Sequence, residues 1–112
     1  MSFFGSLMKG LGDATQNAAI KGIALSWEKI RSISPDRLEE IYKERRESNQ
    51  YDIVGALAIL ALYRNAPYSS VSAVGNEERW KRTINGIKRT IELENGREFE
   101  EIREAIRNFE KG

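Results

Sequence analysis

Carboxylates, lysines and arginines are the residues through which this chain could do chemistry, because it contains neither histidine nor cysteine. That double absence removes Ser-His and Cys-His relays, thiolate nucleophiles, disulfides, His-ligated zinc or haem and the imidazole pH switch. General acid–base or metal work would fall to carboxylates, and their densest run is Glu100, Glu101 and Glu104, spaced to share about one turn of a helix. Such a run holds a hard cation such as Mg²⁺ only when further oxygen ligands converge on it from a second element.

The segment Glu100-Glu101-x-x-Glu104 resembles the first half of the metal site in all-helical nucleotide pyrophosphohydrolases. The resemblance spans five residues and implies Mg²⁺-dependent hydrolysis of a nucleotide, with a second acidic pair on a following helix. Residues 105–112 hold one carboxylate, Glu110, so that pair is missing. The three glutamates read instead as a solvated helix face whose neighbours Arg97, Arg103 and Arg107 stand three or four residues away. The column Asp36, Glu40 and Glu44 reads the same way, with Glu39–Lys43 and Lys43–Glu47 as compensating pairs. A di-iron carboxylate site needs Glu-x-x-His, which this chain cannot supply. No enzyme, no cofactor and no metal is therefore expected.

The second cluster is basic. Lys81, Arg82, Lys88 and Arg89 form one arc of a helix, with Asn85 in its middle and Trp80 beside it, which marks them as candidates for binding a polyanion. Glu77, Glu78 and Glu92 stand four residues from Lys81, Arg82 and Lys88, so much of the arc is expected to be neutralised locally. Trp80 shares an apolar stripe with Ile84 and Ile87 and is expected in the core rather than as a platform for stacking bases. Whole-chain charge points the same way: Lys and Arg number 18 against 17 Asp and Glu, a formal +1. Residues 1–34, 35–66, 67–95 and 96–112 carry +2, −1, +1 and −1, so no stretch is a basic arm or an acidic tail.

The third cluster has almost no charge. In residues 1–12, Phe4, Leu7, Met8 and Leu11 fall at i, i+3, i+4 and i+7, Phe3 flanks them, and Lys9 is the only ionised side chain. This is a short amphipathic helix, weakened by Gly5 and Gly10 and set off from the next helix by a change of phase around Gly10–Asp13. Three destinations compete for it: the chain's own bundle, a protein partner or second copy, and a membrane interface. Phe and Met favour an adaptable protein surface, and a single lysine argues against the membrane.

The elements that must position these clusters are helical. Leu, Ile, Val and Phe make up 27 of 112 residues, enough for a packed core, yet Val and Thr number three each and the apolar residues recur at three and four. Helices are expected at about 13–31, 34–47, 52–65, 76–94 and 97–111. Asp13 is placed to cap the first. Ser34 and Pro35 open the second as cap and first helical residue, with Ile33 stapled toward Leu38. The third is apolar almost all round, and its row Gly55, Ala58 and Ala61 lets a neighbour approach closely, which puts it at the centre. Pro67 stops it before a loop over 68–75, Asn76 caps the fourth helix, and Asn95-Gly96 ends it with a left-handed stop. The longest apolar run, Ile53–Tyr63, is too short for a membrane span. No secretory leader is recognised at residues 1–12, and the default location is the cytoplasm.

The expected molecule is therefore all-α, a compact bundle of two antiparallel helical hairpins, with residues 13–112 as one domain and 1–12 as a separate amphipathic segment. Its expected function is a non-catalytic protein-binding module, adaptor-like or inhibitor-like, acting through Phe3, Phe4, Leu7, Met8 and Leu11 and self-associating as a dimer. The alternative is a nucleic-acid-associated protein using Lys81, Arg82, Lys88 and Arg89, and the third reading is the Mg²⁺-dependent hydrolase.

Overall fold

The structure, a computed structural model, describes residues 16–65 and 78–111. Among these the backbone forms five α-helices and no strand: α1 Gln16–Ile30, α2 Pro35–Glu47, α3 Ile53–Asn65, α4 Glu78–Thr90 and α5 Arg97–Lys111. The segment 1–12, the caps expected at Asp13 and Asn76 and the loop expected over 68–75 lie outside the described residues.

Local chemistry accounts for the boundaries of α2 and α3. Ser34 sits in extended geometry (φ −64°, ψ 151°), its hydroxyl accepts from the Arg37 N–H at 3.4 Å, and Pro35 follows with no N–H to leave unsatisfied. Asp36 in the first turn and Arg45 and Arg46 in the last complement the helix dipole. The helix ends in a Schellman motif: Asn49 takes a left-handed φ of 57°, its N–H donates to Arg46 O at 3.0 Å, and the Gln50 N–H reaches Arg45 O at 2.7 Å. Arg45 then bridges Gln50 Oε1 and Asp52 Oδ2, both at 3.1 Å, while Asp52 Oδ1 caps α3 by accepting the Gly55 N–H at 3.1 Å. A short connection is thereby held at both ends.

The junction of α4 and α5 differs from expectation. Regular α4 ends at Thr90 rather than near 94, and the chain tightens into bonds from the Glu92 N–H to Arg89 O (3.4 Å) and from the Glu94 N–H to Ile91 O (3.0 Å). The next helix contributes to this junction: the Arg103 guanidinium donates to Ile91 O at 2.8 Å, which also accepts the Glu94 N–H, and to Glu94 O. Gly96 does have a positive φ, 136°, but its carbonyl accepts the Glu100 N–H at 3.1 Å, so it opens α5 instead of closing α4.

Helix α3 is the centre of the bundle, packed against α1, α2, α4 and α5, with every residue from Gly55 to Tyr63 buried. The other helices each contribute one stripe: Ile23, Trp27 and Ile30; Leu38 and Tyr42; Trp80, Ile84 and Ile87, prolonged by Ile91; and Phe99, Ile102, Ile106 and Phe109. The small-residue row does what its size permits at Gly55, where the Trp80 ring of α4 lies directly on the α3 backbone. A Cβ at residue 55 would come within 2.8 Å of Trp80 Cζ3 and closer still to Cη2. Tyr51 closes the other side of that ring at a centroid distance of 4.8 Å.

Gly86 is the contrasting glycine. It lies inside α4, where an added Cβ would meet nothing within 4 Å. Gly86→Ala is therefore expected to stabilise the fold by about 1 kcal/mol, raising Tm by about 4 °C in a thermal melt followed by circular dichroism. An unchanged or lower Tm would mean that Gly86 serves some purpose other than helix continuity.

Candidate functional site

The glutamate run is brought to a crossing of three helices, and there it meets cations of the protein itself. Glu101, with 12% of its side chain exposed, accepts from Arg31 Nε at 2.8 Å and from its terminal NH2 group at 2.9 Å, a two-pronged pair across α1 and α5. The indole Nε1 of buried Trp27 donates to the same carboxylate at 2.8 Å, and Arg64 of α3 stands 3.6 Å away. Arg64 also donates to Glu104 at 3.0 Å, and Arg103 to Glu100 at 2.6 Å. Burial alone would push the Glu101 carboxyl up, but the hydrogen bonds from Arg31 and Trp27 and the charges of Arg64 and Arg31 outweigh it and hold the group below the usual carboxylate range. The same pair holds Arg31 protonated more firmly than usual. These three carboxylates face guanidinium groups rather than one another. Among the described residues no group of three or more acidic side chains is placed to hold a metal ion.

The basic arc of α4 is divided by the packing. Lys81 stands 4.0 Å from Glu78, and Arg82 is exposed. Lys88 and Arg89 instead line a cleft of about 260 Å³ between α4 and α5, together with Arg103, Arg107, Glu92, Glu110 and the buried Ile106. Helix spacing predicts Lys88 with Glu92, but Lys88 reaches across the cleft to Glu110 at 2.8 Å. Arg97, expected beside Glu101, pairs with Glu28 of α1. The result is that Arg82, Arg89 and Arg107 have no carboxylate within 4 Å among the described residues, so the expected local neutralisation is incomplete. Trp80 is fully buried, as its stripe requires, and is no stacking platform.

A second cleft, about 270 Å³, runs from the first turns of α1 to the end of α4, lined by Asn17, Ile20, Arg89, Thr90, Glu92, Leu93 and Glu94. Leu93 is 86% exposed, the most exposed large apolar side chain among the described residues, and Leu25 on α1 follows at 47%. Phe3, Phe4, Leu7, Met8 and Leu11 lie outside the described residues.

Two participants in the first cleft were not apparent as a set from the sequence, Arg103 and Arg107. Their spacing of four, alongside Ile102 and Ile106 at the same spacing, places two cations on the shoulder of the apolar stripe of α5, and that is the signal that could have found them. No helix among the described residues is long and apolar enough to cross a membrane. No protein-family model matches the chain, and neither curated proteins nor solved structures show significant similarity to it.

Proposed function

We propose that the protein is a non-catalytic, adaptor-like or inhibitor-like binding module of the cytoplasm, built as two antiparallel hairpins, α2–α3 and α4–α5, and self-associating as a dimer. Contact is made by the apolar side chains of residues 1–12, Phe3, Phe4, Leu7, Met8 and Leu11, and the charged helix faces set orientation. The observation that carries this reading is Leu93: a leucine 86% exposed beside Asn17 and Ile20 puts an unsatisfied apolar surface next to the start of α1, into which residues 1–12 lead. A partner that covers that segment can cover Leu93 in the same interface.

The test is sedimentation of the full chain against the full-chain variant Phe4→Asp/Met8→Asp. A dimer that becomes a monomer, with Tm lowered only to the value that the wild-type chain itself reaches on dilution, is the expected result for side chains used between molecules rather than within one. An unchanged mass overturns the dimer, and a monomer whose Tm collapses in the variant shows the segment packing on its own bundle instead. A nucleic-acid role has one observation in its favour, Arg82 and Arg89 without a carboxylate partner among the described residues, but no exposed aromatic side chain stands beside them among those residues.

A further inference from the structure

We infer that the cleft between α4 and α5 is a binding site for a small phosphomonoester, a ligand with one phosphate group on a compact apolar body. The inference is independent of the dimer reading above. Helices α4 and α5 touch only lightly, and the space between them, about 260 Å³, is that of a small molecule rather than a polymer groove.

The charges in the cleft point to the ligand's own. Lys88, Arg89, Arg103 and Arg107 supply four positive charges, and Glu92, Glu110 and Glu100, the last paired with Arg103, supply three negative ones, so the cleft keeps a net positive charge carried by Arg89 and Arg107 against Glu92. A phosphomonoester, which carries between about −1.5 and −2 at neutral pH, has the sign of charge that this excess attracts. The roles of the cations are also distinct. Lys88 is engaged by Glu110 at 2.8 Å, and Arg103 by Glu100 at 2.6 Å and by the carbonyls of Ile91 and Glu94. Arg89 on α4 and Arg107 on α5 have no such engagement among the described residues, so a guanidinium from each helix is available to a phosphate with forked geometry. Carbonyls at the C-terminal end of α4 would repel an anion, and the Arg103 guanidinium offsets this by binding those of Ile91 and Glu94 just past the helix. The aliphatic stems of Lys88, Arg89, Arg103 and Arg107, which line the cleft together with buried Ile106, give the organic body an apolar contact that inorganic phosphate would not use.

Phenyl phosphate, inorganic phosphate and benzyl alcohol are the probes, each titrated into the isotope-labelled full chain while amide and arginine Nε–H resonances are followed. Expected are saturable shifts at Arg89, Arg107 and Ile106 with phenyl phosphate, weaker binding of inorganic phosphate, and none of benzyl alcohol. Arg89→Gln and Arg107→Gln should each weaken phenyl phosphate by about tenfold, the loss of one charge-assisted contact, whereas Arg82→Gln, outside the cleft, should leave it unchanged. All three side chains are exposed, so the variants are expected to fold, and an unchanged melt confirms that. No saturable shift up to about 10 mM, a range that still detects binding of about −3 kcal/mol, overturns the site. Equal weakening by Arg82→Gln also overturns it, as does tighter binding of a single-stranded oligonucleotide that depends on Arg82; both would show an open polyanion-binding face instead.

Discussion

Replacing Gly55 by alanine is expected to destabilise the protein by about 2–4 kcal/mol, although alanine is the better helix former by about 1 kcal/mol. Gly55 lies in the first turn of α3, and the added methyl would penetrate the six-membered ring of Trp80. That ring cannot step aside cheaply. Trp80 is fully buried, Tyr51 packs on it at 4.8 Å, and the Arg45 Cβ stands 3.3 Å from the position of the new methyl on another side. Either α4 moves off α3, opening the core, or the indole leaves its rotamer. Urea unfolding followed by tryptophan fluorescence measures the effect, since Trp27 and Trp80, the only two tryptophans, are both buried. A second variant separates the clash from any other cause. Trp80→Phe shortens the ring, and its Nε1 has no hydrogen-bond acceptor among the described residues, so no bond is lost with it. The double variant should therefore be more stable than the sum of the two single changes by about 1 kcal/mol or more. Strict additivity would place the cost of Gly55→Ala elsewhere than against Trp80.

Glu101→Gln is expected to cost about 2 kcal/mol at neutral pH, and the loss should shrink in acid. Glutamine keeps the shape and can still accept from Trp27, but it removes the charge that organises Arg31 and Arg64 at the crossing of α1, α3 and α5. The sign of the pH effect follows from the lowered carboxyl. A group whose folded value lies below its unfolded one contributes stability that is complete above the unfolded value, about 4.3 for glutamate, and is lost as pH falls through the folded value. The wild-type and glutamine proteins should therefore differ fully at pH 7 and converge below about pH 4, a window set by that downward shift. Parallel stability curves from pH 7 to pH 3 would refute the assignment of this carboxylate as the ionised hub. The same experiment bears on function. Glu101 is bound by the protein's own cations, so added Mg²⁺ should leave the melting temperature of the wild-type chain where it is.

Most of the helices were legible because their information is local and periodic. Ser34-Pro35, the stripe from Trp80 to Ile91 and the stripe from Phe99 to Phe109 each state a start or a buried face within one or two turns of chain. The all-round apolar character of Ile53–Tyr63 likewise required a central position, since no solvent-facing side remains. Gly55 announced a close approach without naming what approaches. The end of α4 was misread for a related reason: Asn95-Gly96 is a sound stop signal, but the carbonyls of Ile91 and Glu94 are taken by a guanidinium nine to twelve residues further along, and no rule of neighbouring residues contains that.

The charges mark the boundary between the two kinds of knowledge most clearly. Composition and spacing alone determined that the chain has no histidine or cysteine chemistry, that it is helical and nearly neutral, and that its positive and negative side chains are interleaved. Which charge meets which was decided by tertiary structure. Lys43 does pair with Glu39 one turn away, but Arg31 reaches Glu101, Arg64 reaches Glu104, Lys88 reaches Glu110 and Arg97 reaches Glu28, each across a helix interface. The physical reason is competition. A pair one helical turn apart gains only a few tenths of a kcal/mol while solvated; Arg31 instead finds a partly buried, two-pronged partner in Glu101, whereas Lys88–Glu110 and Arg97–Glu28 stay largely exposed and are set by which side chains the packed helices bring within reach. That reassignment leaves Arg89 and Arg107 without a carboxylate partner among the described residues, and it is the packing of α4 beside α5 that brings the two to one cleft.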